Sequence, residues 1–243
     1  MKDIYKTICA EWDTIWQTVA LSSGLSLVFA MLVYGGLWYS GAIDGFAPLG
    51  SAFALFVGTA LVAIFLAVQL AVSFPMGVRM GRTRRQMLAG LYVVGVVECL
   101  LLVAAALVMF GLDVLAQGLI YRSAFAEAGE VAGELLRWWY VLPLGVLVLP
   151  LVSMLVGSLP LLFGRRGLYV LWGVLAFAWV IPTAIVPFFD PNGSSRLAIL
   201  VRPVALWMQT VGLAPKLGAA AALLVVLLLL AVRCALRVDV KED

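Results

Sequence analysis

The chain has 243 residues, of which 65% are hydrophobic and 12% charged, with no histidine and a formal net charge of +3. Soluble domains carry roughly 45–50% apolar and about 25% charged residues, and a soluble chain this apolar would press large apolar patches against water. An ordinary globular domain is therefore excluded, as are histidine-dependent hydrolases and His-based metal centres, and the basic residues do not cluster enough for nucleic acid.

What remains is an all-α, polytopic integral membrane protein, with residues 1–243 expected to form one transmembrane domain. The segment before the first apolar run carries Asp3, Glu11 and Asp13 and lacks a small-residue cleavage site, so no cleavable signal is expected. Within residues 2–17, Ile4, Tyr5, Ile8, Trp12, Ile15 and Trp16 fall near one helical face. That pattern predicts an N-terminal amphipathic helix lying at the membrane interface.

A helix crossing a ~30 Å hydrocarbon core needs about 20 predominantly apolar residues. Val19–Tyr39, Ser51–Val72, Met87–Phe110, Trp139–Phe163, Leu168–Phe189 and Leu217–Ala235 meet that requirement, which predicts six spans. The first is the most polar, with Ser22, Ser23, Ser26 and Gly35-Gly36; the fourth and fifth are joined only by Gly164-Arg165-Arg166-Gly167. Asp113 to Arg137 is expected to be an outer loop whose Glu127, Glu130 and Glu134 mark a solvated helix face. Ser194 to Ala214 reads as one or two short helices dipping into the outer leaflet.

Orientation follows from lysine and arginine in the short loops. Lys2, Lys6, Arg79, Arg82, Arg84, Arg85, Arg165, Arg166, Arg233, Arg237 and Lys241 fall on one side, against Arg122, Arg137, Arg196, Arg202 and Lys216 on the other. Both termini are thus expected in the cytoplasm, as an even number of spans also requires.

The chemistry inventory is short. No G-x-x-x-x-G-K-[ST] phosphate loop occurs, so ATP binding of that kind is not expected on this chain. Cys9, Cys99 and Cys234 have no metal-like spacing, and neither a disulfide framework nor a metal site is expected. Glu98 is the one acidic residue deep in a predicted span, where a charge costs a few kcal/mol and should face protein or water. Two readings stay open for it: a group on a translocation or proton path, or a structural group hydrogen-bonded to a neighbouring span through Ser, Thr or Gln69. Prolines at 143, 150, 160, 182 and 187 interrupt the fourth and fifth spans, as membrane helices tolerate where neighbours satisfy the freed backbone.

The most informative stretch follows the second span: Ser73-Phe74-Pro75-Met76-Gly77-Val78-Arg79-Met80-Gly81-Arg82-Thr83-Arg84-Arg85-Gln86. Phe74-Pro75 is expected to end or bend the span, the next residues to form a short helix, and Gly81 to Arg85 to make a turn dense in positive charge.

This F-P-x5-G-x-T-R arrangement, placed between the second and third of six spans, resembles the small permease subunits of bacterial ABC transporters of the type-2 (ABC-2) exporter class. The resemblance implies that the loop carries a coupling helix docking on a separate ATPase. Phe74, Pro75, Gly81, Thr83 and Arg84 would then carry the coupling, supported by Arg79, Arg82 and Arg85. It also implies two cytoplasmic ABC ATPase subunits that hold ATP and Mg, a second permease chain, identical or similar, and no cofactor or catalytic site on this chain. Residence in the bacterial plasma membrane, contact with membrane lipid, and export of a peptide, antibiotic or lipid-like cargo follow from the same resemblance. The competing expectation is an ion-coupled secondary transporter or channel that uses Glu98.

Overall fold

A computed structural model of the chain describes residues 11–40, 46–120, 124–137, 140–164 and 212–236, together with 166, 167, 169 and 173. The described residues are helical throughout, with no strand: α1 (Trp12–Ser40), α2 (Leu49–Arg79), α3 (Arg84–Ile120), α4 (Ala124–Arg137), α5 (Val141–Phe163) and α6 (Leu213–Leu236). Five of these, all but α4, are long and apolar enough to cross a membrane. The expected fifth span, Leu168–Phe189, lies outside the described residues except for Tyr169 and Gly173, as does most of the expected re-entrant segment Ser194–Ala214.

The described residues fall into two compact units, one up to Met154 and one from Leu155 onward. The first contains α1 to α4 and most of α5; the second contains the end of α5 and α6. At the end of α5 the chain turns at Gly164, whose φ of 57° suits a residue without a β-carbon.

In the first unit α2 and α3 form a long antiparallel hairpin, with α1 antiparallel to α2 on one flank. Small residues set the spacing. Gly50, Ala54 and Gly58 recur every fourth residue on α2, the small-xxx-small pattern that lets membrane helices approach closely. A β-carbon on Gly58 would run into Leu102 Cδ1, and one on Gly95 would sit 2.8 Å from Leu66 Cδ1 and 2.9 Å from Pro150 Cβ. Val62, Leu66, Cys99, Leu102 and Val146 fill the seam where α2, α3 and α5 meet.

The polarity of α1 runs inside-out. Thr18, Ser22 and Ser26, one turn apart, are buried, whereas Leu21, Leu25, Val28 and Leu32 are exposed. Each hydroxyl donates to a carbonyl of its own helix: Thr18 to Thr14 (2.8 Å), Ser22 to Val19 (3.0 Å) and Ser26 to Ser22 (2.6 Å). The most polar span thus satisfies these three buried hydroxyls within its own helix, without help from water or neighbours.

Three boundaries differ from the sequence expectations. Residues 12–17, expected in an interfacial helix, are continuous with α1, while 2–10 lie outside the described residues. Trp12 and Trp16 remain exposed and meet edge to face at 6.1 Å. The second difference is at Phe74-Pro75, where α2 does not end but continues to Arg79. Proline there removes one backbone bond, to the Ala71 carbonyl, and the packing of fully buried Phe74 and of Gly77 against Met87 holds the helix on either side. No separate short helix follows. Third, α3 runs ten residues past Phe110 to Ile120, so Asp113 is a buried helical residue and not the start of an outer loop.

Candidate functional site

The basic turn between α2 and α3 is closed by hydrogen bonds that account for its glycine, threonine and glutamine. Gly81 has φ 83°, a left-handed conformation that glycine adopts without strain. Its N–H donates to the Val78 carbonyl (3.0 Å), and the Arg82 N–H donates to the Gly77 carbonyl (3.1 Å). These paired bonds form the Schellman closure of a helix C-terminus. Two residues later the next helix opens with a reciprocal cap: the Gln86 N–H donates to Thr83 Oγ1 (3.3 Å), and the Thr83 N–H donates to Gln86 Oε1 (3.2 Å). A Thr-x-x-Gln capping box of this kind satisfies two otherwise orphaned donors.

Among the residues singled out from the sequence, Phe74 is fully buried and Pro75 half-buried, so Phe74 anchors the end of α2 and offers no outward surface. Gly81 and Thr83 are exposed and shape the turn. Arg79 and Arg85 are exposed, and Arg82 and Arg84 half-buried. Two exposed methionines, Met76 and Met80, stand on the same tip; the sequence reading weighed the charges and the motif residues and did not single them out.

Glu98 lies on α3 and is completely buried. Neither of its carboxylate oxygens has a hydrogen-bond partner, and the same is true of Gln69 Oε1. Gln69 does not pair with Glu98 as one sequence reading allowed. Its Nε2 donates instead to Glu11 Oε2 (3.3 Å), while the Ser73 hydroxyl donates to Glu11 Oε1 (3.3 Å). Glu11, just before α1, is within electrostatic reach of Glu98. Glu11 is thus half-buried and bonded to Gln69, whereas Glu98 is dry and without a partner.

At the opposite end a second polar cluster is saturated. The α2 N-terminus begins after Pro48, which caps nothing with its side chain. Asp113 caps it from α3, accepting from the N–H of Gly50 (3.2 Å) and Ser51 (2.9 Å). A β-carbon on Gly50 would lie 2.5 Å from Asp113 Oδ1, so glycine is what admits the carboxylate. The Tyr34 hydroxyl lies 2.9 Å from Asp113 Oδ1 and 3.0 Å from the Ala47 carbonyl. Gln117 Nε2 donates to the Ala47 carbonyl (2.7 Å) and its Oε1 accepts from the Ala47 N–H (3.1 Å). Glu127 Oε2 accepts from the Phe46 N–H (2.6 Å), which ties α4 down and makes Glu127 more than part of a solvated face. Every group here has a partner, which marks the cluster as a clasp.

Between α2, α3 and α5 lies an apolar recess of about 440 Å³, lined by Leu55, Thr59, Leu102, Val103, Val146 and Leu149 among others. The described residues contain no group of three or more acidic, cysteine or histidine side chains placed to hold a metal ion. Cys99 and Cys234 are free thiols.

No family model matches the chain, and no curated protein or solved structure matches it either.

Proposed function

We propose that this chain is the membrane permease subunit of an ATP-driven exporter of the ABC-2 class, working with a second permease chain and two cytoplasmic ATPase subunits that hold ATP and Mg. The observation that carries the reading is the α2–α3 tip. A turn locked by a Schellman closure and a capping box presents Met76, Met80, Arg79 and Arg85 at the end of two long helices. A positive-inside anchor needs only the charges. A docking knob needs a fixed shape as well, with an apolar centre and a charged rim, which is the anatomy of a protein interface.

In this reading the tip lies in the cytoplasm of a bacterial plasma membrane and seats in a groove of the ATPase, and cargo of peptide, antibiotic or lipid-like character passes between permease chains. The F-P-x5-G-x-T-R resemblance supplies the class. On this reading Phe74, Gly81 and Thr83 build the knob, while Met76, Arg79, Met80 and Arg85 form its contact surface.

The test is co-purification. Each ATPase encoded beside this gene is co-expressed with the tagged chain, in wild-type form and as Met80→Asp/Arg85→Glu. ATPase retained by the wild type and lost from the folded variant supports the reading; a folded wild type that retains none of them refutes it. The unpartnered Glu98 carboxylate favours a second reading, an ion-coupled secondary transporter or channel, which predicts flux from proteoliposomes containing this chain alone.

A further inference from the structure

Three acceptor oxygens without donors mark an unexplained place in the fold: both of Glu98 and Oε1 of Gln69. The register of α2 against α3 turns their side chains toward a common level. On the α2–α3 seam Leu66 faces Gly95. Gln69 follows Leu66 by three residues on α2 and Glu98 follows Gly95 by three on α3. In an antiparallel pair this moves their α-carbons apart along the axis, by ~4.5 Å each. Helical side chains lean toward the N-terminus of their own helix, so Gln69 leans back toward the level of Glu98 and Glu98 toward that of Gln69. Glu11, bonded to Gln69, brings a second carboxylate to the same side.

Among the described residues of α1, α2, α3 and α5, basic side chains stand only at the α2–α3 turn. α1 and α5 contain no basic residue, α2 none before Arg79, and α3 none beyond Arg85. The hydroxyls of Thr18 and Ser22 spend their hydrogens on their own helix. An unpaired buried polar group is costly and a charged one more so, so the uncommitted oxygens of Glu98 and Gln69 call for positive charge from outside.

We propose that Glu98, Gln69 and Glu11 form a binding site for one small dehydrated cation, entered from the Glu11 end. Complete burial of Glu98 excludes a hydrated ion or a bulky organic cation. The chemistry is that of a hard cation held by carboxylate and amide oxygens, met either by a sodium ion or by a proton shared between Glu98 and Gln69 Oε1. This site does not depend on the ATPase-docking reading, and its test omits the ATPase, so either can fail alone.

The experiment is thermal unfolding of the full-length chain in lipid nanodiscs, followed by tryptophan fluorescence. Sodium chloride is titrated against N-methyl-glucamine chloride at fixed pH and ionic strength, and in a second series pH is varied without sodium. Wild-type protein is expected to melt at higher temperature as sodium rises, which identifies sodium, or only as pH falls, which identifies the proton. Glu98→Gln keeps the side-chain size and supplies its own donor to Gln69, so it is expected to fold and to lose the response. Glu11→Gln, at the accessible edge, is expected to weaken the apparent affinity roughly 10-fold, and it serves alone if Glu98→Gln yields no folded protein. A wild type indifferent to both series, or variants whose response equals that of the wild type, overturns the proposal.

Discussion

Replacing Asp113 with alanine should unfasten the N-terminus of α2. Its carboxylate accepts from the Gly50 and Ser51 N–H groups and lies 2.9 Å from the Tyr34 hydroxyl. Tyr34 keeps an alternative acceptor in the Ala47 carbonyl, but the two backbone donors, in a buried region behind an uncapped Pro48, have no other acceptor among the described residues. Two buried N–H groups left without acceptors cost about 2–6 kcal/mol together. Asp113→Asn retains one acceptor oxygen and should cost roughly half of that. Thermal unfolding in detergent or nanodiscs measures both, with exposed Leu112→Ala as the control. Expected is the order Asp113→Ala, then Asp113→Asn, then Leu112→Ala, from most to least destabilised. An Asp113→Ala protein as stable as the control would show that the carboxylate is no cap and that the clasp holds without it.

Gly95→Ala is expected to destabilise by about 1–3 kcal/mol because the new methyl meets rigid Pro150 Cβ at 2.9 Å. Gly24→Ala, on the same scale, has nothing within 4 Å and should be neutral or stabilising by up to ~1 kcal/mol; equal effects in an unfolding assay would refute the close-approach argument. At the turn, Gly81→Ala should cost roughly 1–2 kcal/mol through its left-handed φ and Thr83→Ala about 1 kcal/mol through loss of the cap. Both should loosen the tip first, read as faster amide exchange over residues 77–86 than in wild type. Met80→Asp/Arg85→Glu, both on exposed side chains, should leave the melting temperature unchanged while removing ATPase retention.

Helices were legible in the sequence because their apolar runs are long, and so was the turn, because Gly81, Thr83 and Gln86 are local signals that need only near neighbours. Where the reading failed, partners distant in sequence decided. Pro75 is a helix breaker by its own geometry, yet Phe74 and Gly77 are held by packing. Asp113 looks like a loop residue beside Gly111, and nothing within its own segment announces that it caps a helix beginning more than sixty positions earlier. The serines of α1 look like a reason for doubt until their periodicity and their bonds to their own backbone are seen together. Glu98 was identified by its rarity alone; the convergence with Gln69 and Glu11 depends on the register of three helices.

The α2–α3 hairpin is tied at both ends, by the Gly81–Thr83–Gln86 turn at one and by the Asp113 clasp at the other. Neither helix can easily shorten or unwind at its tip to absorb a displacement. A push on the turn therefore travels the length of a 31-residue helix, about 46 Å, as the tilt of a stiff lever whose fulcrum is the glycine-lined seam. Small shifts at the basic end would arrive at the Tyr34 end as changes of angle.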